Sequence, residues 1–200
     1  MKLGFDLDGV LLNTEALKEL IQEHGLHDAV RSPELFEQLQ ELVPDFDLGS
    51  FVYDDVVAFL EAHGGQIEII TSYRSKRDAD DPTFDELYRA FQEYKLTHTG
   101  IGDQVAATHV TGAEKSATLA ERQAAAAAAG ESFYFIDDSE AHLAEARELG
   151  IRCAKMVRPT YTMLGFERAP ETSEFPVVHS LQEFFALCQT WEQETLQKAA

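Results

Sequence analysis

Basic residues are scarce in this chain of 200: 16 Lys and Arg stand against 36 Asp and Glu, a formal charge of −20 at pH 7. So acidic a surface repels nucleic-acid duplexes and anionic membranes at long range, although salt screens the repulsion beyond roughly 8–10 Å. It is read more simply as high solubility or a salty habitat than as a surface for a specific basic partner. Cysteine is nearly missing. Cys153 and Cys188 each lie in an apolar stretch, which reads as two buried free thiols rather than a disulfide framework. Long apolar runs are also lacking. The start, Met1-Lys2-Leu3-Gly4-Phe5, is too short an apolar run for a signal peptide, and nothing approaches the ~20 apolar residues that span a bilayer. No internal repeat is visible. The expectation is a cytoplasmic protein with neither membrane nor duplex as partner.

What is present is an alternation of elements in a chain with the 44% apolar content of an ordinary globular protein. Short apolar runs at 2–7, 66–70, 105–111, 132–136, 151–157 and around Val177-Val178 read as strands, compact enough to be buried on both faces. Helical spacing of apolar residues occupies 53–63, 84–95, 114–129, 139–149 and 181–198. The third of these holds six consecutive alanines and stops at Gly130. Ser180 reads as an N-cap, with Glu183 three residues later. Strands alternating with helices predict an α/β fold, a Rossmann-like doubly wound parallel sheet. Residues 13–49 break the alternation, with helical patterns at 15–24 and 33–42 and no strand. They read as a small helical insertion after the first strand, leaving 1–12 and 50–200 as the core. Residues 159–176 read as a long loop.

Ligands of an open parallel sheet bind beyond the carboxyl ends of its strands. Four such ends carry polar chemistry: Asp6 and Asp8, Thr71-Ser72, Lys115 just past the third strand, and Asp137-Asp138-Ser139. Each alone has a plainer reading as a turn, a helix cap or a solvated side chain. Their joint occurrence in order points to one site. Asp6 and Asp8 straddle one residue, so on an extended strand both face the same way, and Gly9 lets the chain turn after them. Carboxylates gathered at one rim repel, by roughly 1 kcal/mol per pair at ~4 Å in water and about 4 kcal/mol at a surface-like dielectric. An oxygen-ligated Mg²⁺ relieves that repulsion and neutralises a substrate phosphate.

These residues resemble the motifs of the haloacid dehalogenase-like superfamily, most of whose members are phosphatases. Phe5-Asp6-Leu7-Asp8-Gly9-Val10-Leu11 matches its first motif, Ile67-Glu68-Ile69-Ile70-Thr71-Ser72 the second, Lys115 the third, and Phe133-Tyr134-Phe135-Ile136-Asp137-Asp138-Ser139 the fourth. The first and fourth are specific; the others are weak by themselves. The resemblance implies a phosphatase that hydrolyses a small phosphate monoester through an aspartyl-phosphate. Asp6 is then the nucleophile and Asp8 the general acid and base. Thr71 and Ser72 bind the phosphoryl group, and Lys115 stabilises Asp6 and the group in transfer. Mg²⁺ is held by Asp6, the backbone carbonyl of Asp8, and Asp138, with Asp137 a further ligand or a support.

The chain departs from the pattern in places. Many relatives place a second acid four residues after the metal-binding Asp, where this chain has His142. The insertion after the first motif is short, which implies a reduced cap and an open site. Glu15 and Arg74 lie near motif ends as possible substrate contacts. The loop 158–166, with Tyr161 and Phe166, could flank the site but reads more simply as surface. A phosphotransferase or phosphomutase with the same intermediate is the alternative enzyme, and a catalytically silent binding relative is the alternative of another class. Dehalogenation needs no acid such as Asp8 and ranks lower.

Overall fold

Six short strands form one parallel sheet in a computed structural model that describes residues 1–26, 32–42, 47–73, 84–158 and 173–199. They are β1 (Lys2–Phe5), β2 (Ile67–Ser72), β3 (Ala107–Thr111), β4 (Phe133–Asp137), β5 (Arg152–Met156) and β6 (Val177–Val178). Their order is β3-β2-β1-β4-β5-β6. Phe5 stands opposite Ile69 on one side and Ile136 on the other, so β1 and β4 end level with each other. After β3 the chain crosses to the far side of β1, and this reversal of strand order is the switch point at which such sheets bind ligands.

Among the described residues seven α-helices accompany the strands: α1 (Thr14–Glu23), α2 (Pro33–Leu42), α3 (Asp54–His63), α4 (Asp85–His98), α5 (Ser116–Ala128), α6 (Glu140–Glu148) and α7 (Leu181–Ala199). Alternation along the strands decides which helices each face receives. Leu3, Phe5, Ile67, Ile69, Tyr134 and Ile136 join one apolar cluster with Val56, Phe59 and Leu60 of α3, Leu96 of α4, and Phe184 and Cys188 of α7. The Phe5 ring lies 5.9 Å from that of Phe59 and 5.6 Å from that of Phe184. Each fully buried ring of this kind contributes roughly 1.5–3 kcal/mol. Ile70, Phe133 and Phe135 face the other way and pack on Leu119 of α5 and on Leu143 and Ala146 of α6. Gly4 is on this second face, and a Cβ there would come within 2.6 Å of Phe133.

The segment between β1 and α3 packs on the first face. Leu17 and Ile21 of α1, Phe36 and Leu39 of α2, and Leu48 of a 3₁₀ turn at Leu48–Phe51 belong to the same continuous cluster as Leu3 and Phe5. Helix α1 begins at Asn13, whose side-chain oxygen accepts from the Ala16 N–H. The Ser180 cap expected before α7 is present: its hydroxyl accepts from Glu183 N–H, and the Glu183 carboxylate accepts from His179 N–H.

Element ends differ from those read along the chain. β1 stops at Phe5 rather than residue 7, because the backbone folds back at once and the N–H groups of Leu11 and Leu12 both reach the Leu7 carbonyl. β2 continues through Thr71 and Ser72 by pairing with β3. α4 runs past Lys95 to His98, since Lys95 and Leu96 are both buried. Cys153 and Cys188 are buried free thiols. Among the described residues no helix is long and apolar enough to cross a membrane. Arg74, Tyr161 and Phe166 lie outside the described residues, as does most of the loop read at 159–176.

Candidate active site

Strand alternation carries Asp6 to the same face as Gly4, and Asp137 to the face of Phe133 and Phe135. There the two carboxylates meet Lys115, at the start of α5. Its Nζ donates to Asp6 Oδ1 and to Asp137 Oδ2, each at 2.7 Å, with no side-chain exposure at all. α6 fixes the lysine's backbone, because Glu145 accepts from Lys115 N–H at 2.7 Å. Burial alone would lower the Lys115 pKa, but the two carboxylates outweigh it and hold the ammonium firmly charged. Asp137 follows the same logic in reverse. Burial opposes its charge, yet Lys115 and His142 bring it down to about 2. His142 itself sits with Nδ1 3.4 Å from Asp137 and with Nε2 near the Ala113 carbonyl. Its pKa is raised, because Asp137 overcomes the opposing effect of burial.

Asp6 and Asp138 are shifted the other way. Burial pushes Asp6 up to about 6; Lys115 opposes the rise while Asp137 and Asp8 add to it. Asp138 presents an exposed edge at the rim, but the protein packed beneath it, together with the charges of Asp137 and Asp6, raises it to about 8. Oxygens of Asp6, Asp137 and Asp138 all lie within 4.8 Å of one another. Asp137 is already committed on both sides, to Lys115 through Oδ2 and to Ser139 N–H at 2.8 Å through Oδ1. That leaves Asp6 and Asp138 as the carboxylates with capacity for a cation, and an all-oxygen donor set suits a hard divalent ion. Gly9 makes room for this arrangement. Its φ is +73°, and a Cβ there would run into the Asp138 carboxylate.

Asp8 does not follow Asp6. The alternation that would have aimed both carboxylates one way ends with β1 at Phe5, and Asp8 turns toward α1 and α4 instead. Its Oδ1 accepts from the Thr14 hydroxyl and from Lys95 Nζ at 2.6 Å; its Oδ2 accepts from Lys95 Nζ and from Gln92 Nε2, each at 2.8 Å. Burial opposes the charge of Asp8, but Lys95, Thr14 and Gln92 together bring its pKa below the ordinary value. The same Gln92 Nε2 lies 3.0 Å from Thr71 Oγ1 and 2.7 Å from the Ser72 carbonyl. Thr71 is wholly buried. Because its oxygen accepts from Gln92, its own hydroxyl hydrogen is left to donate.

Asp6, Asp8, Thr71, Ser72, Lys115, Asp137 and Asp138 are therefore brought to one rim. Glu15 is not drawn in; its carboxylate pairs with Lys18 on the exposed side of α1. Three participants had no signal strong enough to be read along the chain: Lys95, Gln92 and Arg158. Lys95 and Gln92 are polar residues three apart on the buried side of α4, which was the one available hint. Arg158 donates twice to the Val10 carbonyl, pairs with Asp55 at 2.8 Å and lies over the Tyr53 ring, so it clamps the loop that follows Asp8.

No protein-family model and no curated protein matches the sequence. Solved structures do match the fold. A haloacid dehalogenase-like hydrolase from Streptococcus pneumoniae aligns over 93% of this chain and 97% of its own, with a TM-score of 0.51 and 16% identity. A protein of Clostridium difficile described as a candidate phosphatase aligns over 92% and 96%, with a TM-score of 0.50 and 14% identity. The L-2-haloacid dehalogenase of Xanthobacter autotrophicus aligns over 94% and 98%, with a TM-score of 0.52 and 12% identity. The chain thus has the fold of the haloacid dehalogenase-like hydrolases.

Proposed function

We propose that this protein is a Mg²⁺-dependent phosphatase acting on a small phosphate monoester through an aspartyl-phosphate on Asp6. The observation that carries the reading is the environment of Asp6. One of its oxygens is held by the buried Lys115, and the other has no donor among the described residues. A carboxylate anchored on one side and free on the other is oriented for attack at phosphorus.

In the first step Asp8, having taken a proton from solvent as the substrate arrives, gives it to the leaving oxygen while an Asp6 oxygen bonds to phosphorus and the ester P–O bond breaks. In the second step water attacks phosphorus, Asp8 takes its proton, and the bond to Asp6 breaks to release phosphate. Asp8 is ionised while it rests on Lys95. An arriving phosphate dianion raises the proton affinity of a neighbouring carboxyl, which is the direction the acid role requires. The Thr71 hydroxyl and Lys115 would stabilise the equatorial oxygens. Asp6, Asp138 and the Asp8 carbonyl would hold Mg²⁺, which when bound supplies charge neutralisation of the phosphoryl group. Residues 13–49 would serve as a reduced cap. The protein would work in the cytoplasm, with no membrane or duplex partner.

The test is hydrolysis of 4-nitrophenyl phosphate with and without Mg²⁺, with Asp6→Asn as control. Metal-dependent turnover that disappears in Asp6→Asn supports the reading; equal rates for the two proteins would end it. One observation favours a second reading. The ion-paired state of Asp8 does not hinder displacement of a halide, which leaves without a proton. Chloride release from 2-chloropropionate in the absence of phosphatase activity would favour that chemistry.

A further inference from the structure

A carboxylate offers about four lone-pair sites, and every one on Asp8 is taken. Thr14 and Lys95 occupy Oδ1; Lys95 and Gln92 occupy Oδ2. No place remains for a leaving oxygen until one partner gives way. The partners are not equal. Lys95 is 3% exposed, and its ammonium reaches both Asp8 oxygens while lying 5.1 Å from the centre of the Phe91 ring. Gln92, 4% exposed, has two amide hydrogens for three acceptors: Asp8, Thr71 Oγ1 and the Ser72 carbonyl. When Asp8 leaves, Gln92 still satisfies both hydrogens on β2. Among the described residues the Lys95 ammonium has no such second acceptor, so it is the group that decides where Asp8 rests.

We infer that Lys95, with Gln92 as a second arm, is the positioning residue of Asp8. The two hold the acid/base on α4 in the free protein and orient it for the leaving oxygen, which takes over the place that Gln92 gives up. A buried ion pair needs a reason beyond stability, since apolar side chains of similar size often serve a core as well. Here the reason is the identity of the partner. This inference rests on the phosphatase reading and adds to it a residue from a helix that carries none of the four motifs.

The test compares aryl phosphates whose leaving groups differ in their need for a proton. 4-Nitrophenolate leaves unaided, whereas phenolate needs the acid. Loss of a properly placed acid should cost at least about tenfold on phenyl phosphate and far less on 4-nitrophenyl phosphate. Lys95→Met should show this split in kcat, as Asp8→Asn does, and Lys95→Arg should recover most of it. Lys95→Met leaves Asp8 without its cation and could fold poorly, so the decisive pair is Asp8→Asn against Asp8→Asn with Lys95→Met. If Lys95 acts through Asp8, the second change adds no further split. Equal losses on both esters, or a split that grows in the Asp8→Asn background, would overturn the inference while leaving an active wild-type phosphatase. A wild type inactive on every ester would overturn both readings.

Discussion

Around Asp6, three carboxylates share the single ammonium of Lys115; around Asp8, one carboxylate faces the single ammonium of Lys95. The two aspartates are separated by one residue of chain, yet their surroundings differ in charge balance. Three carboxylates against one ammonium leave two negative charges, or one when His142 is protonated. The Asp8 side is already neutral. The difference shows in the titrations, with Asp6 and Asp138 pushed up and Asp8 held down. It is the physical reason for proposing a divalent cation on the Asp6 side and proton chemistry on the Asp8 side, where no excess charge calls for metal.

Removing Lys115 is the strongest way to break the comparison. Lys115→Met strands Asp6 and Asp137 as buried carboxylates without their cation, and urea unfolding should show a loss of about 3–5 kcal/mol. Gly9→Ala comes next. A left-handed alanine costs roughly 1–2 kcal/mol, and its methyl displaces Asp138, so this variant should lose about 2–3 kcal/mol and its response to Mg²⁺ as well. Lys95→Met should cost less than Lys115→Met, roughly 1–3 kcal/mol, because the Asp8 side chain is 29% exposed and keeps Thr14 and Gln92.

The smallest effect concerns pH, and it sharpens the asymmetry. A carboxyl whose folded pKa lies above its unfolded value weakens the fold as pH rises. For Asp138 the window runs from the ordinary carboxyl value of 3.8 to about 8. Metal-free protein should therefore lose stability between about pH 5 and 8, by only about 1–2 kcal/mol because solvent screens an exposed carboxylate. Mg²⁺ should restore more of the melting temperature at pH 8 than at pH 6, and Asp138→Asn should flatten both responses. Asp137 has the opposite sign: its depressed value, about 2, adds stability above pH 3.8 that is lost as pH falls toward 2. A metal-free melting temperature that climbs steadily from pH 5 to 8 would contradict the Asp138 assignment.

Much of this site was legible along the chain. Asp6, Thr71, Lys115 and the Asp137-Asp138 pair each follow or end an apolar strand, and parallel strands bring such ends to one rim. In the structure Lys115 and Ser139 take both Asp137 oxygens, which leaves Asp138 the freer of the pair. The direction of Asp8 was not legible. It depends on where β1 stops, and the turn at Gly9 ends the alternation three residues before it would have carried Asp8 to the Asp6 side.

Periodicity and motif spacing are local properties, so the sequence by itself determined the order of strands and helices and the residues at the strand ends. Which cation meets which carboxylate is not local. Lys95 reaches Asp8 across 87 positions and Lys115 reaches Asp6 across 109. Those meetings depend on the phase of α4 against β2 and on the cap of α5 against α6, set by packing on the two faces of the sheet. Only the tertiary structure decided that the two aspartates of one short loop would be served by different lysines, and so be suited to different chemistry.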